Sequence, residues 1–155
     1  DAAIKAVVGT GQFSDPRAAS LLAEVLIKRR DRIGAAYLPR VNPIVEPTLD
    51  ASGALTFANA AVDHQVATAP RRYTAVWSAF DNATDAVTRI GDTSADMTRI
   101  LAPSGLPTAA GAYVRVELSA EHPDHPSWAR PVHLYFRRGG SGWALVGLER
   151  LPGQP

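Results

Sequence analysis

Apolar residues recur at three- and four-residue steps after Pro16, which is the pattern of an amphipathic helix. The stripe consists of Ala18, Leu21, Leu22, Val25, Leu26, Ile33 and Tyr37, with Arg29 as its one charged member. A shorter helix is predicted before it, in the stretch AAIKAVVGTG. The apolar stripe of the longer helix has to be buried, and the sequence leaves two places for it. One is a sheet of this chain, and the other is a protein surface outside it.

Both ends of the longer helix carry boundary signals. Ser14 or Asp15 can accept a hydrogen bond from the free N–H groups of the first turn. Pro16 suits the first turn because its missing N–H costs nothing there. Pro39 and Pro43 cannot continue a helix, so the sequence predicts a helix from about Pro16 to Leu38.

The pattern changes to short alternating runs from Ile44 onward. Eight runs are separated by Gly, Pro, Asn and Asp: IVEPTLD, ALTFANA, YTAVWSAFD, AVTRIGDTS, MTRILA, AYVRVELSA, PVHLYF and WALVGLE. The stretches Asp50–Gly53, Asp81–Asp85 and Arg137–Gly142 are typical of hairpin turns. No helical pattern lies between the strands, which argues against a parallel α/β sheet. The sequence therefore predicts a mostly β (α+β) fold. It consists of an antiparallel β-sandwich of seven or eight strands, Ig-like or related, preceded by the amphipathic helix.

The predicted organisation is a helical segment over residues 1–43 and a sandwich over residues 44–155. The two together are expected to form one domain, because 155 residues suit a single domain of ordinary size. The chain begins at Asp1 without a methionine, so we expect it to be a processed protein or a fragment of a larger one. The compartment stays open, with export or the periplasm among the options.

Composition excludes several classes of function. There is no cysteine, which removes disulfides, thiolate nucleophiles and Cys-based zinc sites. The net charge is +1, from 16 basic and 15 acidic side chains, which is too balanced for a dedicated nucleic-acid module. No apolar run approaches the roughly 18–20 residues of a membrane span. The expected partners are other domains of the same larger protein or another protein, without nucleic acid and without a cofactor.

A basic run, Lys28–Arg32, is the strongest local cluster of positive charge. Together with Arg137 and Arg138 it could contact phosphates. Asp31 interrupts the run, and a charged helix face exposed to water is the more common reason for such a run. The sequence favours the solvated face.

The stretch EHPDHPSWARPVH, from Glu121 to His133, holds three of the four histidines. Its candidate metal ligands are His122, Asp124, His125 and His133, all of types that bind zinc or another divalent ion. The HExxH spacing of a helical zinc site is absent. Three prolines restrict the stretch and remove N–H donors, which predicts a strand–loop–strand connection without a native metal. Its imidazoles are expected to face solvent.

Two residues of this stretch have more specific predictions. His133 shares its strand parity with Tyr135 and Arg137, opposite an apolar set, so it is expected to face solvent. Trp128 is a candidate ligand-binding residue, because an exposed indole can stack on a sugar or peptide. The alternative is that Trp128 anchors the loop against the sandwich, with its N–H bonded to a protein group.

A group of acidic and amide side chains could supply oxygen ligands to calcium. Its members are Asp81, Asn82, Asp85, Asp92 and Asp96. Calcium takes six to eight oxygen ligands from a defined loop, and no EF-hand spacing is present. Asn and Asp are also common at hairpin turns, and the sequence favours that explanation. No G-x-S-x-G nucleophile motif occurs, and the glycines near Gly9 follow no strand.

Four stretches carry a resemblance to known sequences: VLIKRRDRIGAAYLPRVNP, LTFANAAV, YTAVWSAFDNAT and GWALVGLER. In them the chain resembles the C-terminal region of large bacterial proteins that have no assigned activity. The resemblance runs through most of the chain and implies a fragment of a larger protein. It carries no catalytic residue with it.

The function that the sequence favours is a non-catalytic structural or interaction module of a larger bacterial protein. Enzymatic activity is not expected. One alternative is a metal-dependent hydrolase or metal-binding domain that uses the 121–133 loop. A weaker alternative is a carbohydrate-binding module that uses loop aromatics such as Trp128.

Overall fold

The structure, a computed structural model, describes residues 1–150, except for the side chain of Pro16. The chain divides into two compact units. The first, here called the helical unit, spans Asp1–Tyr37. The second, here called the β unit, begins at Leu38. The predicted sandwich began at residue 44, so Leu38–Pro43 belong with the strands rather than with the helices.

The helical unit contains two helices, α1 (Ala2–Gly9) and α2 (Pro16–Tyr37). Asp15 caps α2, because its Oδ1 accepts the N–H of Arg17 at 2.8 Å. This backbone hydrogen bond, followed by the bond from the Arg17 side chain, holds the pKa of Asp15 below its usual range. The predicted start of α2 is confirmed. Its end at Tyr37 lies one residue before the predicted end.

Helices α1 and α2 contact each other within the helical unit. Val8 of α1 and Ala23 of α2 are buried, and Ile27 is half-buried. At one end Arg30 donates to the carboxylate of Asp1 at 2.6 Å. The helical unit therefore buries the face of α2 that carries Ala23 and Ile27, which is not the predicted apolar stripe.

Between Leu38 and Arg150, the described part of the β unit, eight strands form two antiparallel sheets, as predicted. The strands are β1 (Ile44–Leu49), β2 (Ala54–Asn59), β3 (Arg72–Asp81), β4 (Ala86–Ala95), β5 (Arg99–Leu101), β6 (Tyr113–Glu121), β7 (Val132–Arg138) and β8 (Trp143–Arg150). One sheet has the order β1-β2-β5, and the other has the order β4-β3-β6-β7-β8. A short helix, α3 (Ala60–Asp63), follows β2. The three predicted hairpin turns connect β1 to β2, β3 to β4 and β7 to β8.

Register places the apolar residues of the larger sheet on one face. Trp77 of β3 lies opposite Val116 of β6, and Val116 lies opposite Leu134 of β7. All three are fully buried. Because side chains alternate along a strand, the polar set of β6 faces the other way, as its sequence predicts.

The core joins both sheets into one cluster. Ile44, Leu55 and Ile100 of the smaller sheet belong to it together with the buried face of the larger sheet. Phe57 of β2 meets Tyr73 of β3 edge to face, with ring centroids 4.9 Å apart. The fold is therefore a sandwich whose apolar faces lie between the sheets.

Candidate functional site

The connection between β6 and β7 carries three of the four candidate metal ligands, His122, Asp124 and His125. Strand β6 ends at Glu121 and β7 begins at Val132, so the predicted strand–loop–strand connection is confirmed. Within it, Pro126–Ala129 form one turn of 3₁₀ helix. Pro126 occupies the start of that turn, where proline is favoured.

Trp128 anchors this loop. Its side chain is fully buried, and its indole N–H donates to the carbonyl oxygen of Pro39 at 3.0 Å. The prediction that Trp128 anchors the loop and finds a partner for its N–H is confirmed. The hypothesis that Trp128 stacks on a ligand is wrong, because a ring with no exposed surface cannot stack on a sugar or peptide in solution.

His122 is buried, at 6% exposure, so the expectation that it faces solvent is wrong. The loop folds back over it, and its ring meets Trp128 with centroids 4.8 Å apart. Its Nδ1 accepts the backbone N–H of Asp124 at 3.1 Å. The ring proton is therefore on Nε2, which lies 3.0 Å from the hydroxyl oxygen of Thr68 and donates to it.

His125 is half-buried and completes a cluster of three rings with His122 and Trp128. It lies over Trp128 at an interplanar angle of 24° with centroids 4.9 Å apart. Its centroid is 4.5 Å from that of His122. His122 and His125 are therefore packing partners of Trp128. Residue types alone do not predict this role.

His133 lies on the strand face that its parity predicts, opposite the buried apolar set, and is partly exposed. Its side chain keeps 15% exposure. It is flanked by Glu117 directly opposite on β6 and Glu149 directly opposite on β8. Its Nδ1 lies 3.7 Å from a carboxylate oxygen of Glu149. The neighbouring strands cover the imidazole, which the sequence of β7 alone does not reveal.

The four candidate metal ligands do not form one site. Both ring nitrogens of His122 already bond protein groups. His133 lies on β7 with its Nδ1 3.7 Å from a carboxylate oxygen of Glu149 on β8. Among residues 1–150, no three His, Asp or Glu side chains are placed to share a metal ion.

Asn42 is the residue of this region that the sequence analysis did not single out. It is 4% exposed, and its Nδ2 lies within hydrogen-bonding distance of three carbonyl oxygens. Those oxygens belong to Leu118 at 3.0 Å, Trp128 at 3.2 Å and Arg130 at 3.0 Å. It therefore ties the segment before β1 to strand β6 and to the end of the loop. Its only sequence signal is its place before Pro43, which does not predict burial.

The acidic hairpin between β3 and β4 has a local structural role. Asp81 accepts the backbone N–H groups of Ala83 at 2.8 Å and Thr84 at 3.3 Å. The first of these bonds is the main cause that holds the pKa of Asp81 below its usual range. Asp92 bonds Arg89 on the same strand. These contacts agree with the turn explanation that the sequence favoured.

The basic residues that the sequence groups as a possible phosphate contact lie in both units and have different neighbours. Lys28, Arg29 and Arg32 are exposed on α2. In the β unit, the guanidinium of Arg137 lies 6.0 Å from the ring centroid of Tyr113. That of Arg138 lies 5.2 Å from the ring centroid of Trp143. Both distances are in the cation–π range, so these two side chains have aromatic partners.

No family model, curated protein or solved structure matches this chain. The resemblance to the C-terminal region of large bacterial proteins therefore stays a prediction. No helix among residues 1–150 combines the length and apolarity that a bilayer crossing requires.

Proposed function

We propose that this chain is a non-catalytic interaction module whose helical unit binds another protein. The observation that carries the proposal is the exposure of the apolar stripe of α2. Val25 is 52% exposed, Ile33 50% and Tyr37 64%. Leu21, Leu22 and Leu26 are also among the exposed large apolar side chains of the chain.

The stripe is a continuous surface rather than scattered apolar residues. Its members lie three or four residues apart, so they stand side by side along one side of the helix. A helix of 22 residues is about 33 Å long, which is enough for a partner helix of several turns. Contiguous exposed apolar surface of this kind marks protein interaction sites.

The charges beside the stripe specify the chemistry of the partner. Counted from Val25, Lys28 and Arg32 are three and seven positions on, so they stand beside the stripe residues, and Arg29, four positions on, is the charged member of the stripe itself. A second copy of α2 would add its own cations to this border and repel them. The fitting partner is an apolar helix or groove whose margin carries carboxylates.

The two alternative functions have less support. The metal-dependent hydrolase needs His122 as a ligand, and both of its ring nitrogens are bonded within the protein. The carbohydrate-binding module needs an accessible Trp128, and that ring is buried. The interaction module requires no change to any observed contact.

The test uses two designed amphipathic peptides with the same leucine stripe, one bordered by glutamates and the other by lysines. Binding of each labelled peptide to the whole chain is measured by fluorescence anisotropy. The proposal predicts saturable binding of the acidic peptide, weakened by salt, and much weaker binding of the basic one. Equal binding of both peptides, or of neither, would contradict the partner chemistry.

Two double variants make the test specific to the stripe. Val25→Asp with Ile33→Asp places two carboxylates in the stripe and is expected to abolish binding. Ser20→Asp with Ala35→Asp places two on the side of α2 that carries Glu24 and Asp31, and is expected to preserve it. All four replaced side chains are exposed, so both variants are expected to fold. A loss of binding by both would show that charge rather than the stripe controls the interaction.

A further inference from the structure

An apolar cleft lies between the two helices of the helical unit. Its volume is about 260 Å³, and its described lining is entirely aliphatic: Ala3, Ile4, Val7 and Val8 of α1 and Leu26 of α2. Val8 is buried, whereas Val7 is 71% exposed and Leu26 is 38% exposed. The cleft is therefore open to solvent, and its side chains offer water no hydrogen bond.

The cleft adjoins the apolar stripe of α2, because Leu26 belongs to both. Leu22, about one turn before Leu26, is 39% exposed and extends the same surface along the helix. Helix α1 contributes Ile4 and Val7 on the other side of the cleft. The exposed apolar surface of the helical unit therefore includes parts of both helices.

The cleft and the cations lie at opposite margins of the stripe. An α-helix turns by about 100° per residue. Counted from Leu26 in one direction round the axis, Val25 lies at about 100°, Arg32 at about 120° and Lys28 at about 160°. A partner that contacts the whole stripe thus meets an uncharged cleft at one margin and two cations at the other.

We infer that the partner of the helical unit is an amphipathic helix that inserts one large apolar side chain into this cleft and directs carboxylates toward Lys28 and Arg32. The inference rests on the proposed function and adds α1 to its binding surface. An apolar cavity of about 150 Å³ accepts a benzene molecule, so a cleft of about 260 Å³ has room for a leucine or phenylalanine side chain. Amphipathic helices bind hydrophobic grooves through side chains of this kind at three- and four-residue intervals.

The inserted side chain is expected to dominate the affinity. Its insertion would cover Val7 and Leu26, which are exposed in the free chain. Removal of apolar surface from water is the main driving force for protein association. In protein interfaces a few residues that fill pockets account for most of the binding energy.

The test is an alanine scan of the designed leucine peptide that is bordered by glutamates, with each leucine of its stripe replaced in turn. Binding to the whole chain is measured by fluorescence anisotropy, and the methyl NMR signals of Val8 report occupation of the cleft. Replacement of one leucine is expected to weaken binding about tenfold or more, and the other replacements much less. The peptide without that leucine should also shift the Val8 signals less than the intact peptide does. Losses of equal size at every leucine overturn the inference.

Two neighbouring residues of α1 provide matched variants. Val7 lines the cleft, whereas Ala6 is not among the described lining residues. Both side chains are exposed, so Val7→Asp and Ala6→Asp are both expected to fold. Val7→Asp should remove the large effect of the one dominant leucine, and Ala6→Asp, which adds the same charge, should preserve it. Equal effects of the two variants, or no effect of Val7→Asp, contradict insertion into the cleft.

The outcomes separate this inference from the proposed function. Binding that Val25→Asp with Ile33→Asp abolishes, but that Val7→Asp leaves unchanged, keeps the interaction module and overturns insertion into the cleft. Absence of binding to the unchanged chain overturns both. Sedimentation of the chain without peptide tests a second copy as the occupant. A monomer supports a separate partner, and a dimer that Val7→Asp dissociates contradicts it.

Discussion

The helical unit and the β unit place their apolar residues in opposite ways. In the β unit, Trp77, Trp128 and Leu134 are fully buried between the sheets and their connections. In the helical unit, Val25 and Ile33 of the apolar stripe remain half exposed. Burial of apolar area stabilises a fold by roughly 25 cal/mol per Å². The contrast indicates that the same residue types stabilise the fold in one unit and remain available for binding in the other.

The largest effect is expected from the loop anchor. Trp128→Ala removes a fully buried indole and its hydrogen bond to Pro39, and should cost about 3–5 kcal/mol of unfolding free energy. Equilibrium urea unfolding measures the loss. A cost below about 1 kcal/mol would mean that the loop is not part of the cooperative core.

A smaller loss is expected from the buried amide that the sequence did not single out. Asn42→Ala leaves the carbonyl oxygens of Leu118, Trp128 and Arg130 without their shared donor, which should cost about 1–3 kcal/mol. Asn82→Ala, at the exposed β3–β4 turn, is the matched control and should stay within about 0.5 kcal/mol. Similar losses in the two variants would contradict the role assigned to Asn42.

The two histidines that contact Trp128 provide a finer comparison. His122→Ala removes a buried ring and two hydrogen bonds, and should cost about 1–2 kcal/mol. His125→Ala removes a half-buried ring that stacks on Trp128, and should cost about half as much. Urea unfolding of both variants checks the order. The reverse order would show that the stack matters more than the hydrogen bonds of His122.

Alkaline pH tests the contact between the two sheets. Burial raises the pKa of Tyr73, with the hydrogen bond from Asn59 acting in the opposite direction and the charge of Asp63 adding to the rise. A raised tyrosine pKa gives stability that is complete below about pH 10, the value in the unfolded chain, and is lost as pH rises through the folded pKa. Tyr73→Phe should remove this part of the alkaline dependence. If its stability falls above pH 10 as steeply as that of the unchanged chain, Tyr73 is not the titrating group.

The strands were predictable because their signal is local. Alternation and turn residues define β1–β8 along the chain, and both patterns act over a few residues. The same holds for the cap of α2 at Asp15. The histidine environments were not predictable in this way. Thr68 is 54 residues from His122 in the chain, and Pro39 is 89 residues from Trp128.

The sequence also did not predict whether the stripe is covered or exposed within this chain. Periodicity shows which residues share a side of α2, but it does not show what covers them. In the structure Ala23 is buried and Ile27 half-buried, whereas Val25 is exposed. Two apolar residues outside the predicted stripe are therefore more buried than the stripe itself.

The most direct test of this account is the unfolding free energy of the chain with Val25→Asp and Ile33→Asp. Because Val25 and Ile33 are exposed and not part of the core, the variant should keep its stability within about 0.5 kcal/mol in urea unfolding. The same variant should no longer bind the designed peptide bordered by glutamates. A loss of about 2 kcal/mol or more, typical of polar groups placed in a core, would show that the stripe is structural and would contradict the proposed interaction surface.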